Sequence, residues 1–575
     1  MSQNAQIEGN VTYSSFKKTI KVFLTLTDTL GDLKTKLNIV QQSHYDIGVD
    51  KGEDLWKTVY YHRLIEDDSD VGFMFKRFVE NNVLYLCVAN RLKLILHKSI
   101  SDNQLAFVPD RSILDNAMIV IEVIHFMKTK TKGNDKYVAL KLDISKDYDR
   151  MDWDYLMKVM IKMGFCHKWI QWMAMCIEYV DYNVLVNREN VRLVIPGRGL
   201  RQGDPLSPYL FIICVKGLSS LIRDAEKREL ISGTSIFRRA PFVSHLLLVD
   251  DCFLFFKAKE SQAQVMKNVL NTYEVASGQA INLPKFEIFY SRNVADTLKN
   301  NITNILVVRA VLGTGKYLGM SSMIGRDRIA IFAYIKDRVW QHINSWSSKC
   351  LSKAGREVMI KSVLQAIPSY VISLSQLPTT LVTAIERMMN KFWWGHGRTS
   401  HRGINWLSWE KLLMHKTHGG MGFNDLSAFN LAMFGKQGWK FLTEPHSLVS
   451  RIFKARYFPS KSYLNATIGH NPSYEWRSIL RARFIVRSGS RWCIGSSDSI
   501  PILNSPWLSN GEHIDGNITR GHYVRDFKVS SLISDHSKEW NVPLIQHVFS
   551  NDVADVMLQT PLCDQVQHDQ LVWKV

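Results

Sequence analysis

Residues Ser244 to Phe256 read SHLLLVDDCFLFF, two apolar runs with the adjacent carboxylates Asp250 and Asp251 between them. Apolar runs of this length around a polar dipeptide predict two buried strands joined by a tight turn. Asp is a common turn residue, so the pair has an ordinary structural explanation. Hard cations such as Mg²⁺ also bind carboxylates held on a stiff scaffold, and a third carboxylate nearby would favour that second explanation.

A third carboxylate ends another apolar run. After the helical pattern ILDNAMIVIEVIHFMKTK and a break at Gly133 and Asn134, the residues KYVALKLDI predict a strand that ends in Asp143. If the two strand regions are neighbours in one sheet, Asp143 and the two hairpin acids form a single cluster. The sequence leaves that adjacency open.

The charge of the chain indicates an acidic partner. The 575 residues are 46% hydrophobic and 22% charged, as in a globular protein of several domains, and the net charge is +19. Residues 321–500 contain 25 Lys and Arg against 9 Asp and Glu, an excess of 16 positive charges. Aromatic residues are interleaved there, in NKFWWGHGR, ARYFPSK and SRWCIG, which suits contact with a nucleic-acid backbone and unpaired bases. A solvated basic face over an aromatic core explains the composition equally well.

Two other classes of protein are disfavoured. The N-terminus MSQNAQIEGNVTYSS lacks the basic flank and apolar core of a signal peptide, and no apolar run is long enough to span a bilayer, so we expect an intracellular protein of the nucleus or cytoplasm. The eight cysteines are scattered without a closely spaced pair, which argues against a disulfide framework or a zinc site.

Residues 1–88 differ in character from the rest of the chain. The runs IKVFLTLTD and VLYLCVA are rich in strand formers and surround the acidic cluster EDDSD, so we expect a small, separate α+β domain. Its ending, HRLIEDDSDVGFMFKRFVENNVLYLCV, resembles the N-terminal region of plant Mutator-type transposases, which is similar to a β-grasp, ubiquitin-like fold. A generic α+β unit is the alternative. The acidic cluster makes this domain a candidate for binding protein partners.

A series of motifs from residue 89 to about residue 508 resembles the reverse transcriptase of plant LINE-type non-LTR retrotransposons. NQLAFVPDRSILDN, LDISKDYDR, RQGDPLSPYLF, LLLVDD, ASGQAINLPK and KYLGM occur in the order of that family. INSWSSKCLSKAGREVMIKSVLQAIPSYV, FWWGH, GGMGFNDLSAFNLAM and HNPSYEWRSI continue the resemblance beyond the polymerase core.

The resemblance implies an α+β, right-hand polymerase. Residues 89–320 would form a fingers remnant and the palm, 321–508 a basic, mostly helical thumb and the region after it, and 509–575 a truncated segment that leads toward a lost zinc-binding region. The implied activity is RNA-directed DNA synthesis, with an RNA template, a DNA primer and deoxynucleoside triphosphates as partners. Asp143 and Asp250, with Asp251 beside them, would be the metal ligands for two Mg²⁺ ions, for which Mn²⁺ can substitute.

Four further residues match family positions that contact the substrates. Tyr148 matches the aromatic gate against the ribose 2′-hydroxyl, and Gln202 and Gly203 match the segment that contacts the incoming nucleotide and the template. Lys285, in INLPK, matches a lysine that would protonate the leaving pyrophosphate or steady the phosphates. Each has a plain structural alternative: core packing for the tyrosine, a turn for the Gln-Gly pair and a surface cation for the lysine.

The sequence departs from the family at several positions. Asp147 stands where the family has Ala, and a second anion beside Asp143 would repel the triphosphate or displace a metal ion. Leu248 replaces an aromatic residue before the acidic pair, and Asp110 replaces a Gly. We find no Arg-Pro-Ile finger motif before ANRLK, no endonuclease domain and no RNase H domain, which suggests a chimeric or decayed copy. The predicted function is therefore reverse transcription by a copy whose activity is open, and the alternative is a non-catalytic nucleic-acid-binding remnant.

Overall fold

A computed structural model describes the following residues of the chain: 7–12, 19–24, 83–109, 111–145, 148–178, 182–186, 189–248, 251–281, 286–308, 316–317, 320–321, 327–347, 351–395, 404–495, 498, 500–503, 505–514, 527–534, 538–562 and 568–574. The chain divides into two compact units. The first consists of residues 1–113, 132–234 and 243–311, and the second of residues 114–131, 235–242 and 312–575.

The helices are numbered in chain order. They are α1 Val83–Ser99, α2 Ile113–Thr129, α3 Trp153–Lys162, α4 His167–Glu178, α5 Ser207–Lys227, α6 Glu260–Ser277, α7 Asp296–Leu306, α8 Arg328–Ser347, α9 Lys353–Met359, α10 Ser369–Leu374, α11 Thr379–Trp394, α12 Trp409–Leu413, α13 Leu426–Thr443, α14 Leu448–Tyr457, α15 Tyr474–Arg481, α16 Arg483–Gly489, α17 Val542–Val548 and α18 Asn551–Leu558. A π-helical turn, Ile360–Leu364, continues α9.

The strands are numbered in the same way. They are β1 Ile7–Thr12, β2 Thr19–Leu24, β3 Tyr137–Ser145, β4 Tyr182–Val186, β5 Glu189–Val194, β6 His245–Leu248, β7 Asp251–Lys257, β8 Ala280–Ile281, β9 Glu287–Tyr290, β10 Lys316–Tyr317, β11 Met320–Ser321, β12 Ser490–Cys493 and β13 Gln570–Trp573. The mixture of helices and strands agrees with the predicted α+β class.

The first unit is built on an antiparallel sheet. Its strands are hydrogen-bonded in the order β6, β7, β3 and β8, and β9 also pairs with β3. The predicted hairpin is therefore present as β6 and β7, and the strand predicted from KYVALKLDI is β3. Alternate residues of β3, among them Leu140 and Leu142, are buried in a core that also contains residues of α3, α5 and α6.

One predicted strand is wrong. The run VLYLCVA, taken as a strand of the N-terminal domain, is the beginning of helix α1, which continues across residue 88. Val88, Leu92 and Leu96 recur at helical spacing and are buried in the core of the first unit, so the apolar periodicity outweighs the strand preference of Val, Tyr and Cys. The predicted strand in IKVFLTLTD is confirmed over Thr19–Leu24, which pairs with β1. The EDDSD cluster lies outside the described residues.

The described part of residues 321–500 is mostly helical, as predicted. Several of its helices begin with a side-chain cap, in which a Ser or Asp oxygen accepts a hydrogen bond from a backbone N–H of the first turn. These caps are Ser352 for α9, Ser408 for α12, Asp425 for α13, Ser447 for α14 and Ser473 for α15. Among the described residues, no helix combines the length and the apolar character needed to cross a bilayer.

Helix α2 belongs to the second unit, although it precedes β3 in the chain. Its Asp115 carboxylate lies 2.6 Å from Lys440 Nζ on α13, and its buried Glu122 carboxylate lies 2.6 Å from an Arg456 guanidinium nitrogen on α14. The Tyr457 hydroxyl donates a hydrogen bond to the same carboxylate oxygen of Glu122, also at 2.6 Å. Removing one partner of a buried ion pair leaves an uncompensated charge, so these contacts strongly favour this placement of α2.

Glu475 on α15 is a second buried carboxyl in this unit. Burial is the main reason that its pKa is raised from 4.5 to about 8, and the charge of Glu122 raises the pKa further. Between those two pH values the folded chain holds a proton that the unfolded chain has lost. Stability therefore falls as the pH rises from about 4.5 to about 8, because the buried carboxyl must ionise in the folded state.

Replacing this carboxyl with an amide removes that pH dependence. We expect Glu475→Gln to raise the Tm at pH 9 by about 2–4 °C, the scale of a 1 kcal/mol change in a unit of this size, and to leave the Tm at pH 5 unchanged. Thermal unfolding followed by circular dichroism from pH 5 to pH 9 measures the difference. The exposed Glu410→Gln change on α12 is the matched control. Parallel Tm curves for all three proteins would contradict this account of Glu475.

Candidate active site

The acidic end of β3 lies directly opposite the beginning of β7. In the antiparallel register, Leu140 pairs with Leu254, Leu142 with Cys252 and Asp143 with Asp251. The core side of the pairing is fully buried, whereas Asp143 is partly exposed. The adjacency that the sequence left open is therefore present at the level of the backbone for Asp143 and Asp251.

Of the two hairpin acids, Asp251 is the first residue of β7. Leu248 closes β6 and pairs with Asp251. Asp250 lies outside the described residues, so its position relative to Asp143 stays a prediction. Among the side chains that the structure describes, which include neither that of Asp250 nor that of Asp251, no three His, Cys, Asp or Glu come together as a metal site. Carboxylate oxygens are the donors that Mg²⁺ prefers, so the paired aspartates fit this metal ion.

Tyr148 follows β3 in the chain and packs against the core of the first unit. Its ring is stacked on Phe211 of α5, with centroids 5.1 Å apart and an interplanar angle of 11°. Its carbonyl oxygen accepts a hydrogen bond from the Leu200 N–H at 2.8 Å. The Tyr148 ring therefore packs on the core, as the plain structural alternative predicts. The residue is not fully buried and keeps part of its surface exposed to solvent.

The segment before Gln202 is tied to the turn that follows β3. The Gly199 N–H donates to the Met151 carbonyl at 2.8 Å, and the Gly199 carbonyl accepts from the Trp153 indole N–H at 2.7 Å. Gln202 and Gly203 follow closely in an exposed loop, and Gly203 has φ of 90°. These hydrogen bonds bring the RQGDP motif to the neighbourhood of Tyr148, while the contacts of Gln202 and Gly203 with substrates stay predictions.

Gly199 is a structural requirement that the sequence analysis missed. Its φ is 92°, and a Cβ atom built there would lie 2.7 Å from the Asp149 carbonyl oxygen. Only glycine adopts this conformation without strain while the backbone of residue 149 approaches so closely. The signal for it in the sequence is GRGLRQG, in which three glycines fall within seven residues.

A buried histidine on the hairpin was also missed. His245 Nε2 lies 2.8 Å from Ser219 Oγ, and Nδ1 lies 2.9 Å from Ser244 Oγ. The side-chain amide of Asn103 donates to the His245 carbonyl at 2.7 Å. Burial lowers the pKa of His245 from 6.5 to about 3, so the ring is neutral at physiological pH. These contacts hold β6 to α5 and to the NQLAF segment.

Asp204 of the RQGDP motif supports the beginning of α5. Its Oδ1 accepts a hydrogen bond from the Leu206 N–H at 2.8 Å, and burial raises the pKa of its carboxyl. Three positions that the sequence analysis singled out, Lys285, Asp147 and Asp110, lie outside the described residues. Their roles stay predictions.

Comparisons with known proteins show what this chain is similar to. The family described as reverse transcriptase (RNA-dependent DNA polymerase) matches residues 82–321. The chain is similar to an uncharacterised mitochondrial protein of Arabidopsis thaliana, with 35% identity over 144 residues that cover 25% of this chain and 93% of that protein. It is also similar to a retrovirus-related Pol polyprotein from a type-1 retrotransposable element of Nasonia vitripennis, with 25% identity over 28% of this chain and 15% of that protein.

Among solved structures, an apo telomerase of Candida tropicalis is similar over 78% of this chain and 71% of that chain, with 11% identity and a TM-score of 0.34. The match to the reverse transcriptase family covers residues 82–321, and the comparisons support a reverse transcriptase domain in that part of the chain. More particularly, its retrotransposon relatives support a reverse transcriptase domain of a non-LTR retrotransposon. The chain spans between 15% and 29% of the length of three longer curated relatives.

The close contact between Gly199 and the backbone of Asp149 can be tested by replacing the glycine. We expect Gly199→Ala to lower the free energy of unfolding by roughly 1–3 kcal/mol, the usual cost of a non-glycine residue in such a conformation. Urea unfolding at neutral pH measures the change. Gly197→Ala is the control, because a Cβ atom at that position meets nothing within 4 Å. Equal stability of the two variants would show that the Asp149 backbone moves aside without cost.

Proposed function

We propose that this chain is the RNA-directed DNA polymerase of a plant LINE-type non-LTR element, and that its sheet of β6, β7 and β3 is the palm of a right-hand polymerase. The observation that carries the proposal is the pairing of Asp143 with Asp251. Partners in an antiparallel pair lie about 4.5–5.5 Å apart at Cα, close enough for their carboxylates to share bound metal ions.

The proposed reaction is the in-line attack of a primer 3′-hydroxyl on the α-phosphate of a deoxynucleoside triphosphate. Two bound Mg²⁺ ions would activate the hydroxyl and neutralise charge on the leaving pyrophosphate. Asp143, Asp250 and Asp251 would hold the ions at a fixed separation. The paired strands suit this task, because a sheet positions side chains more rigidly than a loop does.

The nucleotide would bind beside the acidic end of β3. Tyr148 would serve as the gate against the ribose 2′-hydroxyl, since its stacking on Phe211 fixes the plane of the ring. Gln202 and Gly203 would contact the nucleotide and the template, where a glycine allows close approach of the backbone. Lys285 would steady the phosphates or protonate the pyrophosphate.

The decisive experiment is primer extension on an RNA template with Mg²⁺. We expect Asp143→Asn to reduce incorporation of deoxynucleotides by at least about 100-fold, because removing one charged ligand weakens metal binding and the stabilisation of transition-state charge. Asp154→Asn, which changes an exposed carboxylate on α3, is the matched control and should retain activity. Equal loss in both variants would argue against a metal-binding role for Asp143.

The alternative function is a non-catalytic nucleic-acid-binding remnant. It is favoured by the 16 excess positive charges of residues 321–500 and by the carboxylate of Asp147. Both functions predict RNA binding that weakens steeply as the salt concentration rises. RNA binding of this kind by an unaltered chain that extends no primer would support the remnant.

Asp147 itself can be tested in the same assay. We expect Asp147→Ala to raise primer extension, because a carboxylate next to Asp143 repels the incoming triphosphate and competes for metal. A gain of about tenfold, mainly in KM, would indicate relief of repulsion, and a gain mainly in kcat would indicate an improved metal geometry. Equal activity of Asp147→Ala and the unaltered chain would mean that this carboxylate points away from the nucleotide.

A further inference from the structure

The first strand of the acidic hairpin, β6, is the terminal strand of its sheet. In the order β6, β7, β3 and β8, one side of β6 pairs with β7. On the other side, Gln104 forms an isolated parallel bridge with Leu247. The Leu247 N–H donates to the Asn103 carbonyl at 2.8 Å, and the Leu105 N–H donates to the Leu247 carbonyl at 3.4 Å. Residues 103–105 therefore brace the outer edge of β6 one residue before the strand ends.

The side chain of Arg111 holds this segment in place. It is only 15% exposed. Its Nη1 atom donates to the carbonyls of Ser101 and Gln104 at 2.5 and 2.7 Å. Its Nη2 atom donates to the Ile100 carbonyl at 3.0 Å. Helix α1 ends at Ser99, so the Ile100 carbonyl is the first one after the helix, where backbone acceptors lack a helical partner. The planar fork of arginine suits this task, because it binds several acceptors at once in a fixed geometry.

The Arg111 guanidinium is engaged by these carbonyls more than by an acid. The Asp102 carboxylate lies 3.6 Å from Nη2, but its side chain is 67% exposed, and an exposed ion pair adds little to stability. Both N–H groups of Nη1 donate to the carbonyls of Ser101 and Gln104. An arginine that binds a triphosphate needs free donors, so this geometry favours a structural task for Arg111 over a direct contact with substrate.

Side chains of the same segment also contact the hairpin and α5. The Asn103 side-chain amide donates to the His245 carbonyl at 2.7 Å. Ser101 Oγ lies 3.2 Å from Ser219 Oγ on α5. Asn103 lies within the stretch 100–104 whose carbonyls Arg111 binds, so Arg111 and β6 are joined through one short segment.

We propose that Arg111 is a positioning residue for the polymerase reaction. It holds residues 100–104 against the outer edge of β6, and the pairing of Leu248 with Asp251 carries that constraint to the proposed metal ligands of the hairpin. Catalytic groups must be held to within about 0.5 Å of their productive geometry, so a loose strand edge slows the chemical step more than it weakens substrate binding. This role rests on the proposed function, from which its reaction and its metal ligands are taken.

Primer extension on an RNA template measures the effect of Arg111→Gln. We expect kcat to fall by about 10–100-fold with little change in the KM for deoxynucleotide, because displaced ligands misalign the reacting groups without removing a substrate contact. Arg111→Lys replaces the fork with a single ammonium and should recover only part of kcat. Arg228→Gln, which removes an exposed charge just after α5, is the matched control and should keep the kcat of the unaltered chain.

Two kinetic results would overturn the proposal. A raised KM with kcat retained in Arg111→Gln would mean that this arginine contacts the triphosphate. Full activity of Arg111→Gln would mean that the edge of β6 keeps its position without the guanidinium.

A double variant tests whether Arg111 acts through residues 100–104. Asn103→Ala removes the side-chain contact with the His245 carbonyl. If Arg111 and Asn103 hold the same segment, the fold-loss of kcat in the double variant will be well below the product of the two single losses, since residues of one network are not additive. Losses that multiply would show that the two side chains act independently, which contradicts the proposed route from Arg111 to β6.

Amide hydrogen exchange, followed by mass spectrometry, gives a readout that needs no catalysis. The N–H groups of Leu247 and Leu105 lie at the braced edge, so Arg111→Gln should speed their exchange by about tenfold. Helix α6 lies in the core of the same unit, and its amides report global unfolding, so they should change much less. Equal acceleration at the edge and in α6 would show that Arg111 only stabilises the fold, and the positioning role would be lost.

Failure of this role and failure of the proposed function give different results. An unaltered chain that extends no primer loses the proposed function, whereas faster exchange confined to the edge of β6 in Arg111→Gln still supports the structural link, and unchanged exchange there overturns it. In a chain that does extend primers, equal kcat of Arg111→Gln and Arg228→Gln retains the polymerase and overturns the role of Arg111.

Discussion

The antiparallel pairing of β3 with β7 is the constraint on which the candidate active site depends. One side of this pairing consists of apolar residues in the core, such as Leu142 opposite Cys252 and Leu140 opposite Leu254. Side chains alternate along a strand, so a slip of one residue would move these groups to the opposite side and bring Asp143 into the core. Burying an unpaired carboxylate costs several kcal/mol. Core packing therefore fixes where the acidic residues lie.

The local elements of this sheet could be predicted from the sequence, but their register could not. Two apolar runs around Asp250 and Asp251 predict a hairpin, and the run before Asp143 predicts a strand, because both signals depend on neighbouring residues alone. The pairing of Asp143 with Asp251 joins residues more than a hundred positions apart, and no local pattern encodes it. The error at VLYLCVA has a related cause, since a short apolar run fits a strand or a buried helix equally well until its longer periodicity is considered.

The position of helix α2 in the second unit could be predicted from the sequence even less than the register of the sheet. The helix was predicted from its periodicity, but its position in the second unit depends on Asp115 with Lys440 and on Glu122 with Arg456. In the sequence, Glu122 is an acid inside an apolar helix, which is a signal that it has a buried partner but gives no indication of which one. His245 is similar, because a histidine at the beginning of a buried strand is compatible with many roles until its two serine partners are known.

The ion pairs of α2 with Lys440 and Arg456 also lower the number of cations in residues 321–500 that can contact phosphate. Residues 321–500 have an excess of 16 positive charges, but two of the cations in that count, Lys440 and Arg456, are held by acids of α2, which lies outside the counted segment. A buried, paired cation releases no counterions when nucleic acid binds, so it contributes nothing to salt-dependent affinity. Cations that lie exposed and without an acidic partner in the described part of the chain, such as Lys454 and Lys461, are the ones available to phosphate. The positive surface of this unit therefore consists of the cations that its acids leave unpaired, and the net charge of the segment overstates that surface.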